Sequence, residues 1–214
     1  MNEILFKKLP FNIFDYKTFK NLFSDLKFPK NKVASLIADG EIIQLKKGIY
    51  TLNPDIYGIP YSREIISNIL YGPSHISLEY GLSFYGLIPE RVNTVTAVCV
   101  GNNKIFKNST GVYTFRNIPV SIFSEGIDKI YLDEKKGFLI ANKERCLCDT
   151  LIFRKNNPIN SINSMEKFLI ENLRIEPVDL VNFNIDFLIN LSDKSKSRKL
   201  KFLIQYLLKL KKDF

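Results

Sequence analysis

The segment Pro73-Ser74-His75-Ile76-Ser77-Leu78-Glu79-Tyr80-Gly81-Leu82-Ser83-Phe84-Tyr85-Gly86-Leu87-Ile88-Pro89-Glu90 spells out the start, face and stop of a short helix. Ser77 is placed to cap it. Glu79 falls in the first turn, where the positive end of the peptide dipoles favours a carboxylate. Leu78, Leu82 and Tyr85 recur at helical spacing and give one apolar face, and Gly86 followed by Pro89 ends the helix. His75, the single histidine, precedes it in what reads as a turn.

Towards the N-terminus, Ser62 opens another helix through Ile65, Ile66, Ile69 and Leu70. Asn53 to Tyr61, with Pro54, Gly58 and Pro60, interrupts both hydrophobic periods and marks a boundary between domains 1–53 and 54–214. Before it, Asp15 caps a helix with Phe19, Leu22 and Phe23 on one side. After the turn Lys27-Phe28-Pro29, a second helix carries Val33, Leu36 and Ile37 on one face and stops at Gly40. Residues 2–9 read as a further short helix. Glu41 to Leu52 has two β-prone runs around Lys46-Lys47-Gly48, the pattern of a hairpin. Helix, helix, hairpin is the order of a winged helix-turn-helix. Burying Val33, Leu36 and Ile37 leaves Asn31, Lys32 and Ser35 outward with Lys30 at the flank, and puts Lys46 and Lys47 at the hairpin tip. Lysine bonds phosphate or guanine and asparagine pairs with an adenine edge, so these six are the expected contacts to double-stranded DNA. The competing reading is a protein-docking platform with an ordinary solvated face.

Towards the C-terminus, β-like runs cover Thr94 to Val100, Val112 to Asn117, Pro119 to Phe123 and Phe138 to Ala141, with turns at Gly101-Asn102-Asn103, Asn108 to Gly111 and Asp133 to Gly137. Asn142 then caps a helix with Leu147, Leu151 and Ile152 on its inner side. From about residue 156 the chain is mostly helical by period. Leu200, Leu203, Leu207 and Leu210 form a core-facing stripe among Lys199, Lys201, Lys209, Lys211 and Lys212. The fold class expected is α+β: a winged helix-turn-helix followed by a larger mixed α/β domain with a mainly antiparallel sheet and a helical C-terminus.

Three strings in this order resemble the AbiEi-type antitoxins of type IV toxin–antitoxin (abortive infection) systems. The first is Pro73 to Glu90, where the family runs Pro-Ser-Tyr-Ile-Ser-Leu-Glu into Tyr-Gly-Leu-Ile-Pro-Glu; His75 stands at the usual Tyr. The second is Ile140-Ala141-Asn142-Lys143-Glu144-Arg145-Cys146-Leu147-Cys148-Asp149, similar to Ile-Ala-x-x-Glu-Lys-Ala-Leu-x-Asp. The third is Lys46-Lys47-Gly48-Ile49-Tyr50. The resemblance spans roughly residues 10–155. It implies a cytoplasmic antitoxin and transcriptional autorepressor that binds the operator of its own operon. Its functional partner would be a nucleotidyltransferase-like toxin, which it need not hold in a stable complex.

Composition is compatible with that expectation. The chain is 45% hydrophobic and 25% charged, as expected of a folded protein, and its formal charge of +9 suits a polyanionic partner. A Lys-, Asn- and Ile-rich composition also inflates basicity by itself. No apolar run approaches the roughly 20 residues that span a bilayer, and the first residues lack the order of a signal peptide, so a cytosolic protein is expected. Cys99, Cys146 and Cys148 are too few and too odd for a disulfide framework. The last two point about 200° apart on a helix and cannot share a metal. No phosphate loop, His-Glu-x-x-His or Cys-x-x-Cys occurs, so neither an enzyme nor a cofactor is expected. Two alternatives remain: a metal-dependent nuclease using Glu79, Glu144 and Asp149, and a ligand-sensing transcription factor.

Overall fold

The computed structural model describes residues 6, 9, 12–134, 136–154 and 159–213. Apart from Phe6 and Leu9, the helix expected at residues 2–9 lies outside them.

The N-terminal part contains β1 (Ile13–Asp15), α1 (Tyr16–Leu22), α2 (Pro29–Ala38), β2 (Ile42–Lys46) and β3 (Ile49–Leu52). Asp15 caps α1 as expected, accepting the Thr18 amide at 2.7 Å. Pro29 starts α2 without wasting a donor, and Gly40 leaves it at φ 70°, a left-handed turn that glycine takes without strain. The hairpin gains a third strand that the sequence did not announce, in the antiparallel order β1-β3-β2. One face of this sheet packs with the helices, joining Phe14, Phe19, Phe23, Val33, Leu36, Ile42, Tyr50 and Leu52 into one core. The stretch read as a linker holds a single turn of helix, α3 (Pro54–Tyr57), started by Asn53.

The rest of the described chain runs α4 (Arg63–Leu70), β4 (Ser74–Ile76), α5 (Leu78–Phe84), β5 (Val95–Cys99), β6 (Lys104–Asn108), β7 (Gly111–Asn117), α6 (Val120–Phe123), β8 (Ile127–Tyr131), β9 (Gly137–Ala141) and α7 (Lys143–Phe153). It ends in helices: α8 (Ile162–Lys167), which continues as a π-helical turn over Phe168–Asn172, α9 (Pro177–Val181), α10 (Ile185–Ser195) and α11 (Arg198–Asp213). The fold is therefore mixed α+β with a helical C-terminus. The six-stranded sheet has the order β6-β7-β5-β4-β9-β8. Three of its pairings are antiparallel, while β4–β9 and β5–β7 are parallel, so it is more mixed than expected. Pro119 to Phe123, read as a strand, is instead a helical turn entered at Pro119. So short an apolar run has no period of its own, and the proline, with its fixed φ, leads into the turn.

The sheet is covered on both faces. Ile76, Ala97, Phe115 and Ile140 meet Ile66 and Leu70 of α4 on one side. On the other, Val98 and Ala141 meet α5, α7 and the C-terminal helices, where Leu200, Leu203, Leu207 and Leu210 of α11 are buried as expected. The small sheet joins the first of these layers: Leu45 is buried in it, with Ile13, Ile43 and Ile49 packed alongside. The Asn108 side chain donates to the Leu45 carbonyl at 2.9 Å. The hairpin is thus sandwiched between its own helices and the large sheet.

Candidate nucleic-acid interface

α2 presents the residues that the periodicity singled out. Val33 and Leu36 are buried, while Lys30, Asn31 and Ser35 are exposed and Lys32 is half-buried beside them. The Ser35 hydroxyl is engaged within the helix, donating to Asp39 at 3.0 Å. Asp39 therefore belongs to this face and sets its negative end. The first turn is left to Lys30, Asn31 and Lys32.

The two hairpin lysines part company. Lys47 is exposed at the turn, beside Gly48 at φ 81°. Lys46 points away from it, and its ammonium donates to the Leu70 carbonyl at 2.6 Å and the Ile69 carbonyl at 3.3 Å, at the C-terminal end of α4. A cation at the negative end of a helix dipole is a structural fit. The cause is a break in register between Gln44 and Lys46: Gln44 pairs with Tyr50, and Lys46 pairs with Ile49. A strict two-residue alternation would put Lys46 opposite Leu45, but the bulge sends both towards α4. The structure thus places Lys30, Asn31, Lys32 and Ser35 on one helix, with Lys30 and Lys32 about 200° apart around it, leaves Lys47 exposed at the turn, and turns Lys46 to α4. Two neighbours escaped the sequence reading. Phe28 is 63% exposed just before α2, and the Lys27 ammonium lies 5.7 Å from its ring centroid.

The two long strings quoted above meet in the interior. Ser77 begins α5 but does not cap it. Its hydroxyl instead donates to Asp149 on α7 at 2.7 Å, and the other oxygen of that carboxylate accepts from Arg145 Nε at 2.8 Å. Arg145 Nη1 donates to the carbonyls of Ile122 and Glu125, tying α7 to the turn before β8. All three side chains are fully buried. Burial pushes the Asp149 carboxyl up, and Arg145 and Ser77 pull it back. Asn142 caps α7 as expected, accepting the Arg145 amide at 2.8 Å. Leu78, held at φ 61° next to Ser77, is a strained residue fixed by its complete burial. Gly81 lets α5 approach α7: a Cβ there would come within 2.3 Å of Cys146 Sγ.

His75 lies in β4 rather than in a turn, fully buried with its ring 5.0 Å from that of Phe123. Burial, with the Arg145 charge behind it, pushes its pKa down to about 3, so it is neutral at physiological pH. Cys146 and Cys148 are free and buried, and burial raises both thiols. Glu144 in the first turn of α7 accepts the Asn184 amide at 3.2 Å, so its carboxylate joins α7 to α10. Among the described residues, no three His, Cys, Asp or Glu side chains gather to hold a metal ion, and no helix is long and apolar enough to cross a membrane.

No protein-family model matches the chain, and no curated protein does. The two regions differ in the chemistry they offer. The Ser77–Asp149–Arg145 cluster has no surface to present to a partner. The α2 face has one: cations and an amide donor–acceptor on a rigid helix.

Proposed function

We propose that this protein is a DNA-binding antitoxin and autorepressor, holding operator DNA through its N-terminal part and opposing a nucleotidyltransferase-like toxin through the rest. The carrying observation is the exposed first turn of α2, with Lys30, Asn31 and Lys32 set over a three-stranded antiparallel sheet whose tip carries Lys47. That arrangement supports a winged helix-turn-helix with α2 as the helix that enters the major groove. The antitoxin role draws its support from the strings shared with AbiEi-type antitoxins, two of which converge on one buried cluster. In this reading the cluster builds the neutralising domain and the α2 face does the repressing.

Binding of the full chain to the DNA directly upstream of its gene tests the first half. Lys32→Ala and Lys47→Ala should each flatten the slope of log affinity against log salt by about 0.9, the signature of one lost phosphate contact. Asn31→Ala should cost roughly 1–3 kcal/mol on that DNA and little on unrelated duplex. Wild-type affinity and slope in all three would transfer this face to a protein partner. Co-expression with the adjacent gene, scored by growth, tests the second half. Failure of the full chain to relieve toxicity would end the antitoxin reading.

A further inference from the structure

We infer that Phe28 reads thymine methyl groups in the DNA that α2 faces, an inference that rests on the DNA-binding reading above. Phe28 is 63% exposed, whereas Phe14, Phe19 and Phe23 of the same module are at 7% or less. Among the described residues, Phe28 joins none of the three apolar clusters. At the start of α2 the favoured residues are those whose side chains accept an amide, and Phe28 supplies no such bond. Its carbonyl accepts the Asn31 amide at 3.2 Å, which any residue would provide.

The surroundings of the ring select its partner. From Asp15 to Asp39 the chain has Lys17, Lys20, Lys27, Lys30 and Lys32 against Asp15, Asp25 and Asp39, and the lysines nearest the ring are Lys27 and Lys30 by sequence. The Lys27 ammonium lies 5.7 Å from the ring centroid, so an exposed apolar group sits inside a cationic field. That field favours a polyanion, and double-stranded DNA offers apolar spots in a groove wide enough for a helix: the C5 methyl groups of thymine. Phe28 lies just before Asn31, the residue placed to meet a base edge, so the ring enters the same groove at the leading end of α2. RNA lacks the methyl, which makes the methyl itself the discriminating group.

The experiment uses the full chain, wild type and Phe28→Ala, with duplexes of the upstream DNA amplified with either dTTP or dUTP. The uracil duplex keeps every phosphate and hydrogen-bonding edge and loses only the methyl groups. The ratio of wild-type to variant affinity should be about fourfold larger on the thymine duplex for each methyl that Phe28 covers. The salt slope should be the same for both proteins, because no charge has changed. Phe28→Leu, which keeps an apolar side chain, should retain part of the methyl dependence, and it checks the result if Phe28→Ala lowers thermal stability. Equal ratios on the two duplexes, with wild type still preferring upstream DNA, would overturn the inference and leave the DNA reading intact. No preference of wild type for upstream over unrelated duplex would overturn both.

Discussion

The buried cluster of Ser77, Arg145 and Asp149 and the open face of α2 are built from similar residue types put to opposite uses. In the cluster the charges are turned on the chain itself: Asp149 takes Arg145 and Ser77, and Arg145 Nη1 takes two backbone carbonyls, while Arg145 Nη2 is buried without a hydrogen bond among the described residues. On α2 the Lys30 and Asn31 side chains stay exposed to solvent. Two strings that carry the family resemblance meet in the cluster, so the likeness speaks first of how the larger domain is built. Recognition of a partner has to be sought where polar groups remain unspent.

The sharpest way to break this contrast is to unpair the cluster. Arg145→Leu leaves the Asp149 carboxylate buried beside Ser77 alone, and the loss should be about 3–5 kcal/mol in denaturant unfolding. Arg145→Leu combined with Asp149→Leu should recover part of that loss, because no uncompensated charge remains. A stable Arg145→Leu protein that has lost only its ability to relieve toxicity would make the cluster a functional site, and the contrast would fail.

Acid unfolding probes the same interior through His75. Its pKa is about 3 in the folded chain against an ordinary 6.5, so below pH 6.5 the unfolded chain takes up a proton that the folded chain refuses. Stability from this group is complete above pH 6.5 and falls towards pH 3, by about 1.4 kcal/mol per pH unit once the unfolded imidazole is charged. His75→Phe keeps the ring against Phe123 and removes the titration, so its stability should fall less steeply with acid. Parallel profiles for variant and wild type would mean that His75 is not held neutral.

Gly81 of α5 packs directly on Cys146 of α7. Gly81→Ala drives a methyl group to within 2.3 Å of Cys146 Sγ in the undisturbed geometry and should cost roughly 1–3 kcal/mol. Cys146→Ala in the same chain makes room for it. The double variant should therefore be less destabilised than the two single losses added together.

Local chemistry was legible in the sequence and long-range chemistry was not. Asp15, Ser62 and Asn142 are caps because each meets an amide three residues on, a distance the sequence displays. Ser77 has the same chemistry, but its hydroxyl goes to Asp149, far along the chain, and nothing nearby announces that. The strands that escaped are β1, β4, β6 and β8. β6 and β8 are the edges of the large sheet, where Lys104, Lys107, Asp128 and Lys129 are exposed and blur the apolar alternation. β1 and β4 have three residues each, too few to show a period. On α2, helical spacing separated the buried Val33 and Leu36 from the exposed Lys30, Asn31 and Ser35. It gave Phe28 no role beyond the turn Lys27-Phe28-Pro29, because sequence alone does not show how far a ring in a turn is exposed.

Lys46 and Lys47 bring the comparison down to two adjacent residues of one type. Lys46 is half-buried and spends its charge within the fold: its ammonium closes the C-terminal end of α4, and its neighbour Leu45 is buried in the layer beside it. Lys46→Met should then cost about 1 kcal/mol of stability, the scale of a cation at a helix C-terminus, and leave the salt slope of DNA binding unchanged. Lys47→Met should do the reverse, flattening the slope by about 0.9 with no change in the unfolding midpoint. Deleting residues 1–52 would confound the two roles, since it strips from residues 54–214 the contacts that Lys46 and Leu45 make with them; the paired point variants keep them separate. If Lys46→Met flattened the slope as much as Lys47→Met, the ammonium would have to leave α4 when DNA arrives. The hairpin would then be a moving part, and the bulge between Gln44 and Lys46 its hinge.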